Sequence, residues 1–196
     1  FVTIDTKNVT AQDFVFSFSK NKKVTFTKKY SLKQRRENSA SRKGYDASDL
    51  IYLIMSDRFA NGNPKNDSDK SVTEKGNRSL PGGRHGGDIA GMIQHLDYIK
   101  ELGATALWPT PLCEDNDKAY SYHTYGQSDV YKIDPRFGTN DEYVLLSAEL
   151  HKRDMKLIMD YVTNHWGAEH WMMKDLPTYE WVHQFPGYAQ TNYRMT

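Results

Sequence analysis

Residues 155–165 read Met-Lys-Leu-Ile-Met-Asp-Tyr-Val-Thr-Asn-His, and they decide the fold of this chain. The apolar run at 155–159 has the length of a buried strand rather than of a helix. Asp160, Asn164 and His165 follow it directly. In barrels that alternate strands with helices, chemistry takes place at the carboxyl ends of the strands. On their own, these residues favour the simpler interpretation of a strand end, an Asx turn and a solvated histidine.

Two earlier segments support the functional interpretation. Residues 56–63 read Ser-Asp-Arg-Phe-Ala-Asn-Gly-Asn, and residues 119–129 read Ala-Tyr-Ser-Tyr-His-Thr-Tyr-Gly-Gln-Ser-Asp. Together with residues 160–165, in this order, they resemble the alpha-amylase superfamily, glycoside hydrolase family 13. Within it the chain is most similar to the cyclomaltodextrinase and neopullulanase branch. The resemblance begins near Tyr30 and covers only the front of the family's catalytic barrel.

Composition excludes several other classes of protein. The chain has 196 residues, 38% of them hydrophobic, which is enough for one ordinary core. A net charge of +1 gives no reason to expect nucleic acid or a membrane surface as a partner. The single cysteine, Cys113, rules out an internal disulfide framework. No apolar stretch is long enough to cross a bilayer, and we interpret the first residue, Phe1, as the start of a processed or excised piece.

The first 49 residues have a different pattern from the rest. Residues 1–30 are predicted to be strands, because phenylalanines alternate with other residues at 14–18 and the pattern resumes at 24–27 after a polar turn. We therefore assign 1–32 to the C-terminal part of a β-sandwich domain. Residues 33–49 are polar, lack an apolar period and are predicted to be a linker.

From residue 50 the pattern predicts an α/β fold. Strands are expected at 50–55, 104–109 and 157–162, one helix at 89–102, and a second helix opened by a capping box at Thr139 and Glu142. This β-α-β-α-β order is typical of a parallel sheet. The resemblance implies that this sheet belongs to a TIM (β/α)8 barrel. Because a complete barrel needs about 250 residues, we assign 50–165 to its first three βα units. Residues 166–196 match the start of the domain that the family inserts after the third strand.

The loop after the first strand is the candidate metal site. Asparagine and aspartate oxygens crowd residues 61–67, and calcium prefers about six to eight hard oxygen ligands. From composition alone an ordinary turn is the favoured interpretation. The resemblance instead implies a structural Ca2+ that also binds residues at the start of the first barrel helix. The implied ligands are Asn61, Asn63, Asn66, Asp67, the Gly86 carbonyl and Asp88, and a second metal position is implied at Asn164.

The loop at 119–129 is the candidate sugar site. Tyrosine and histidine supply aromatic faces and hydrogen bonds for sugar rings, although a packed loop would also use them. The resemblance implies that Tyr122, His123, Tyr125 and His165 bind the substrate and that Asp160 orients the site. Gly126 departs from the family, in which many members have tryptophan there. Asp57 and Arg58 are expected to pair with each other.

The resemblance implies an α-glucan hydrolase that cleaves α-1,4 bonds with retention, acting on cyclodextrin, maltodextrin, starch or pullulan. Its catalytic aspartate, glutamate and second aspartate would follow strands four, five and seven. None of them lies in this chain, so we expect these 196 residues to be inert alone and either to associate with the remainder of the catalytic domain or to aggregate when isolated. Two alternatives are a non-catalytic starch- or maltodextrin-binding module and an inactive amylase-like interaction subunit. The resemblance also implies a homodimer of the full protein. Because relatives are cytoplasmic, periplasmic or secreted, the location stays open, and we favour a periplasmic or secreted one.

Overall fold

The structure, a computed structural model, describes residues 3–187 of the chain. It divides between Gly44 and Tyr45 into two units, at a point inside the segment predicted to be a linker. Within the described residues, no helix is long and apolar enough to cross a membrane.

The first unit contains one antiparallel hairpin. Strand β1 (Gln12–Lys20) pairs with β2 (Lys23–Leu32). Asn21 and Lys22 both have positive φ (51° and 63°), as two-residue hairpin turns require when their twist matches the flanking strands. The prediction of strands is confirmed for these segments but is wrong for residues 3–11, which have no regular structure. A β-sandwich that contains this hairpin stays a prediction.

Aromatic side chains line one face of the hairpin. Phe14, Phe16 and Phe18 alternate along β1, and the Phe16 ring lies 6.4 Å from Tyr30 on the partner strand. The Phe18 ring lies 5.8 Å from Phe26. These cross-strand contacts account for the alternating pattern of the sequence.

The second unit contains the predicted parallel sheet. Strands β3 (Ile51–Ile54), β4 (Ala106–Pro109) and β7 (Lys156–Leu157) lie side by side in that order, and both pairs are parallel. Strand β7 is shorter than the predicted 157–162. The Ile158 N–H still donates to the Leu107 carbonyl, but the next ladder bond would need an N–H from Pro109, which has none.

Two helical segments follow β3, where one helix was predicted. Helix α2 (Ile89–Gln94) and helix α3 (Leu96–Glu101) are separated at His95, which has φ −114° and ψ 14°. The His95 ring nitrogen lies 2.8 Å from the Gly91 carbonyl, the position that the backbone N–H of His95 would occupy in an unbroken helix. Gly103 has φ +89° and ends the segment as expected.

The helix before β7 begins as predicted. Helix α4 (Asn140–His151) has Thr139 as its N-cap, and the Thr139 hydroxyl accepts a hydrogen bond from the Glu142 backbone N–H at 3.1 Å. Between the sheet and these helices lies one apolar core. Its fully buried members include Ile89, Met92, Leu96, Ile99, Leu107, Leu146 and Leu150.

Long loops follow the parallel strands and carry small elements of their own. Helix α1 (Ser56–Phe59) comes directly after β3. Strands β5 (Cys113–Glu114) and β6 (Asp129–Ile133) form an antiparallel pair after β4. Residues 166–187 contain only short 3-10 turns, and the remainder of the predicted inserted domain, residues 188–196, lies outside the described residues.

Candidate functional site

Asp160, which follows β7, accepts hydrogen bonds from two other side chains. Its Oδ2 atom accepts hydrogen bonds of 3.1 Å from the Tyr125 hydroxyl and from the Trp108 indole N–H. Trp108 lies on β4, and Tyr125 lies on the loop between β5 and β6. The fold thus brings to Asp160 two residues that are 52 and 35 positions away in sequence. Trp108 was not among the predicted site residues, although its place near the end of a predicted strand was a usable signal.

His165 lies against the same tyrosine. Its Nε2 atom is 3.1 Å from the Tyr125 carbonyl oxygen. The His123 ring is 5.8 Å from the Tyr125 ring, and its Nδ1 accepts from the Tyr125 backbone N–H at 3.2 Å. The structure thus brings together His123, Tyr125, Asp160 and His165 at the carboxyl ends of β4 and β7.

Tyr122 lies at the edge of this group. Its ring is 5.1 Å from the His123 ring, and the guanidinium of Arg58 lies 4.2 Å above it, a cation–π distance. Arg58 also pairs with Asp57 at 3.2 Å, which confirms the expected ion pair. Asp57 has a further role, because its buried carboxylate accepts hydrogen bonds from the backbone N–H groups of His85 and Gly86.

Burial shifts the pKa values of His123 and Tyr125. Partial burial lowers the pKa of His123, against the opposing charges of Asp117 and Glu74. Burial also raises the pKa of Tyr125, and its hydrogen bond to the Asp160 carboxylate raises it further. A neutral imidazole and a protonated phenol can both donate hydrogen bonds to sugar hydroxyls and accept them.

The candidate metal ligands lie near one another. Asn61 Nδ2 donates to both Asp67 oxygens at 2.8 and 2.9 Å, and a Cβ on Gly86 would lie only 2.7 Å from Asp67. The side-chain oxygens of Asn61 and Asn66 are buried and have no hydrogen-bond partner. Because unsatisfied buried oxygens are costly and are also the ligands that calcium prefers, the side-chain oxygens of Asn61 and Asn66 suit the ion.

The remaining candidate ligands are already engaged. Asp88 is the N-cap of α2: it accepts from the Gly91 N–H at 2.6 Å and from the N–H groups of Gly62 and Asn63 at 3.0 and 2.8 Å. Asn164 is exposed, and its oxygen lies 3.3 Å from the His165 ring. Over residues 3–187, no three His, Cys, Asp or Glu side chains form a group that could hold a metal.

A network of buried charges supports the loop at 119–129, and no sequence motif predicts this network. Asp134 pairs with Arg136 at 2.6 Å and lies 3.8 Å from Arg84, and all three side chains are at most 1% exposed. Arg84 donates to the Ser121 carbonyl at 3.0 Å. Glu74 accepts from the Ser121 N–H and hydroxyl, both at 2.7 Å. The loop that carries Tyr122 to Tyr125 is therefore fixed at Ser121.

The surroundings of Asp134 and Arg84 shift the pKa values of both groups. Burial raises the pKa of Asp134, but the hydrogen bond from Arg136 and the charge of Arg84 outweigh it, and the net shift is downward. Burial lowers the pKa of Arg84. Asp134 is therefore ionised at neutral pH, between two arginines.

Known proteins resemble this chain over the same region. The family model for the alpha-amylase catalytic domain matches residues 53–190. The alpha-amylase of Saccharomycopsis fibuligera is 43% identical over 126 residues, which are 62% of this chain and 24% of that protein. Neopullulanase 2 of Thermoactinomyces vulgaris is 38% identical over 128 residues, covering 65% of this chain and 21% of that protein. Cyclomaltodextrinases are also among the relatives.

A solved structure shows the same likeness. The crystal structure of an Anoxybacillus alpha-amylase has a TM-score of 0.62 and 46% sequence identity to this chain, and covers 69% of this chain. The match spans 28% of the Anoxybacillus chain. The present chain thus spans about a quarter of the length of the relatives it matches.

Proposed function

Because this chain belongs to the alpha-amylase family, glycoside hydrolase family 13, we propose that it is the first part of the catalytic domain of an α-glucan hydrolase. The observation that carries the proposal is the convergence of Tyr125, Asp160 and His165 at the carboxyl ends of parallel strands. In barrel enzymes this end of the sheet carries the active site.

The geometry suits the binding of a glucose unit. The Tyr125 ring is 40% exposed and offers an aromatic face, while the exposed His165 ring can reach sugar hydroxyls beside it. Asp160 has the role of holding Tyr125 and Trp108, so we assign it to orientation rather than to nucleophilic attack. The substrate class we propose is the α-1,4-linked glucan, which includes maltodextrin, starch, cyclodextrin and pullulan.

Hydrolysis with retention needs two carboxyl groups about 5–5.5 Å apart. In this family those groups follow later barrel strands, beyond the three described here. We expect the intact protein to cleave maltodextrin with retention of the anomer and the 196-residue chain to show no cleavage. Reducing-end assays with anomer-resolved NMR would test both. Cleavage by the 196-residue chain, or binding without cleavage by the intact protein, would contradict this assignment.

We further propose that Asn61, Asn66, Asp67 and the Gly86 carbonyl hold a structural Ca2+, with Asn63 and Asp88 supporting the loop. The two unpartnered amide oxygens support this assignment. A bound calcium would supply only positive charge and rigidity there, joining the loop after β3 to the segment that precedes α2.

Calcium should therefore raise the thermal stability of the intact protein. At free Ca2+ about 100-fold above its dissociation constant, the gain is about 2.7 kcal/mol. Asn61→Ala and Asn66→Ala should lose most of this gain, whereas Asn8→Ala, a change at an exposed residue of the other unit, should retain it. Melting curves with Ca2+ and with a chelator measure the difference. Equal calcium-dependent gains in Asn66→Ala and Asn8→Ala would exclude this loop as the site.

A further inference from the structure

Asp115 has a fully buried carboxylate with no assigned role. Its side chain is 0% exposed and lies on the loop after β5. Its Oδ1 accepts from the Asp117 backbone N–H and its Oδ2 from the Gly126 backbone N–H, each at 3.0 Å. The carboxylate thus joins two points of the same loop, one of them adjacent to Tyr125.

The segment that Asp115 holds has little freedom to move. A Cβ on Gly126 would lie 2.5 Å from an Asp117 carboxylate oxygen, and a Cβ on Gly167 would lie 2.2 Å from the Gly126 carbonyl. The Gly167 N–H donates to the Gln127 carbonyl at 2.8 Å. Because the packing is this close, a displacement of Gly126 would move its neighbours as well.

Tyr125, which directly precedes Gly126 in the chain, belongs to the proposed sugar site, and it contacts His165 and Asp160. The Tyr125 carbonyl, one bond from Gly126 N, lies 3.1 Å from the His165 ring nitrogen. The Tyr125 hydroxyl donates to Asp160 at the other end of the side chain. The hydrogen bond from Gly126 to Asp115 therefore fixes the backbone from which both sugar-facing rings are oriented.

We propose that Asp115 is a positioning residue for glucan binding, because its ionised carboxylate holds the backbone at Tyr125 and Gly126 so that Tyr125 and His165 face one sugar. This inference rests on the function proposed for the site. Asp115 does not itself face the sugar, since it is fully buried.

The protonation state of Asp115 matters for this role. Each oxygen of a carboxylate can accept one of the two N–H groups, whereas a protonated acid presents an O–H to one of them. Burial raises the pKa of Asp115 to about 7, and the charges of Asp117 and Asp134 act in the same direction. Arg136, in the segment before α4, donates a hydrogen bond to the backbone carbonyl of Asp115. His123 is a further titratable group nearby, and its charge acts on Asp117.

Affinity and stability should therefore change with pH in opposite directions. Between the unfolded pKa of 3.8 and the folded pKa of about 7, the folded protein binds the proton more tightly than the unfolded chain does. The contribution of Asp115 to stability is then greatest at low pH and is lost as the pH rises toward 7. Glucan affinity needs the ionised form and should fall as the pH drops below 7.

The test compares Asp115→Asn with Asp154→Asn in the intact protein. Asp154 is exposed and has φ +56°, a conformation that asparagine tolerates well, so this control should match the wild type. Acarbose affinity is measured by calorimetry between about pH 5.5 and 8.5, alongside kcat/KM on maltodextrin and the melting temperature. Acarbose serves as the probe because the alpha-amylase of Geobacillus thermoleovorans, which is 39% identical to this chain, forms a complex with it.

We expect wild-type acarbose affinity to fall about tenfold from pH 8 to pH 6, the change in the ionised fraction of a group with a pKa near 7. Asp115→Asn should bind about tenfold more weakly at pH 8, lose most of this pH dependence and melt no lower than the wild type, because a buried charge has been removed. If Asp115→Asn does not fold, the wild-type pH series decides.

Three results would overturn the inference. The first is an Asp115→Asn protein with the acarbose affinity and pH dependence of the wild type. The second is an Asp115→Asn protein that binds acarbose more weakly and also melts at a lower temperature than the wild type. The third, where the variant does not fold, is a wild-type affinity that stays constant or rises below pH 7. A wild-type protein that binds no acarbose at any pH would instead overturn the proposed function, so the two failures are distinguishable.

Discussion

Replacing Asp134 with alanine should lower the free energy of unfolding by about 3–5 kcal/mol, the usual cost of removing one partner from a buried ion pair. The change leaves Arg84 and Arg136 buried, each 1% exposed, without the carboxylate between them. Arg84 keeps its hydrogen bond to the Ser121 carbonyl, but the ion pair left to it is a long one, with its Nε 3.9 Å from Asp57. Urea denaturation of the intact protein, followed by circular dichroism, measures the loss.

The control for this experiment is Asp175→Ala. Asp175 is an exposed carboxylate, and its removal should change stability by no more than about 0.5 kcal/mol. An Asp134→Ala protein within about 1 kcal/mol of the wild type would mean that the arginines find other partners, and that the network does not hold the sugar-site loop.

Replacing Tyr125 with alanine should lower kcat/KM of the intact protein on maltoheptaose by about 100-fold, equivalent to about 2.7 kcal/mol of transition-state stabilisation. The substitution removes the aromatic face and leaves Asp160 without its partner hydroxyl. Tyr125→Phe keeps the ring and loses only the hydrogen bond, so its loss should be below about tenfold, in line with a single hydrogen bond.

Tyr131→Ala is the matched control for this site. Tyr131 lies on β6 and its side chain is 80% exposed, so its removal should leave kcat/KM unchanged. If Tyr125→Ala retained more than half of wild-type kcat/KM, the ring would not contact the glucan, and the sugar site would have to lie elsewhere on the sheet.

Much of the fold could be predicted because its signals are local. The capping box at Thr139 joins atoms three residues apart. The helix end at Gly103 depends only on the positive φ of that one glycine. The helix break at His95 was missed because the apolar period continues through it, and only the side chain's contact with Gly91 reveals it. The early end of β7 was missed because it depends on the neighbouring strand, where Pro109 cannot donate.

The candidate site was predictable in part. Tyr125, Asp160 and His165 were expected from ordered motifs, and the structure brings them within hydrogen-bonding distance. Trp108 and Asp115 were not expected. Their partners are Asp160 and the Gly126 backbone, and neither pairing leaves a pattern in sequence spacing.

The sequence by itself determined the order of strands and helices, the family and the residue types at the strand ends. These follow from periodicity, caps and motifs, each encoded by residues close together in the chain. Only the tertiary structure decided which charges are buried together, because Glu74 and Arg84, in the loop between α1 and α2, are distant in sequence from Asp134, which follows β6, and only packing brings them together. Burial in that packing, rather than residue type, sets the pKa of Asp115 near neutrality and makes it a candidate positioning residue.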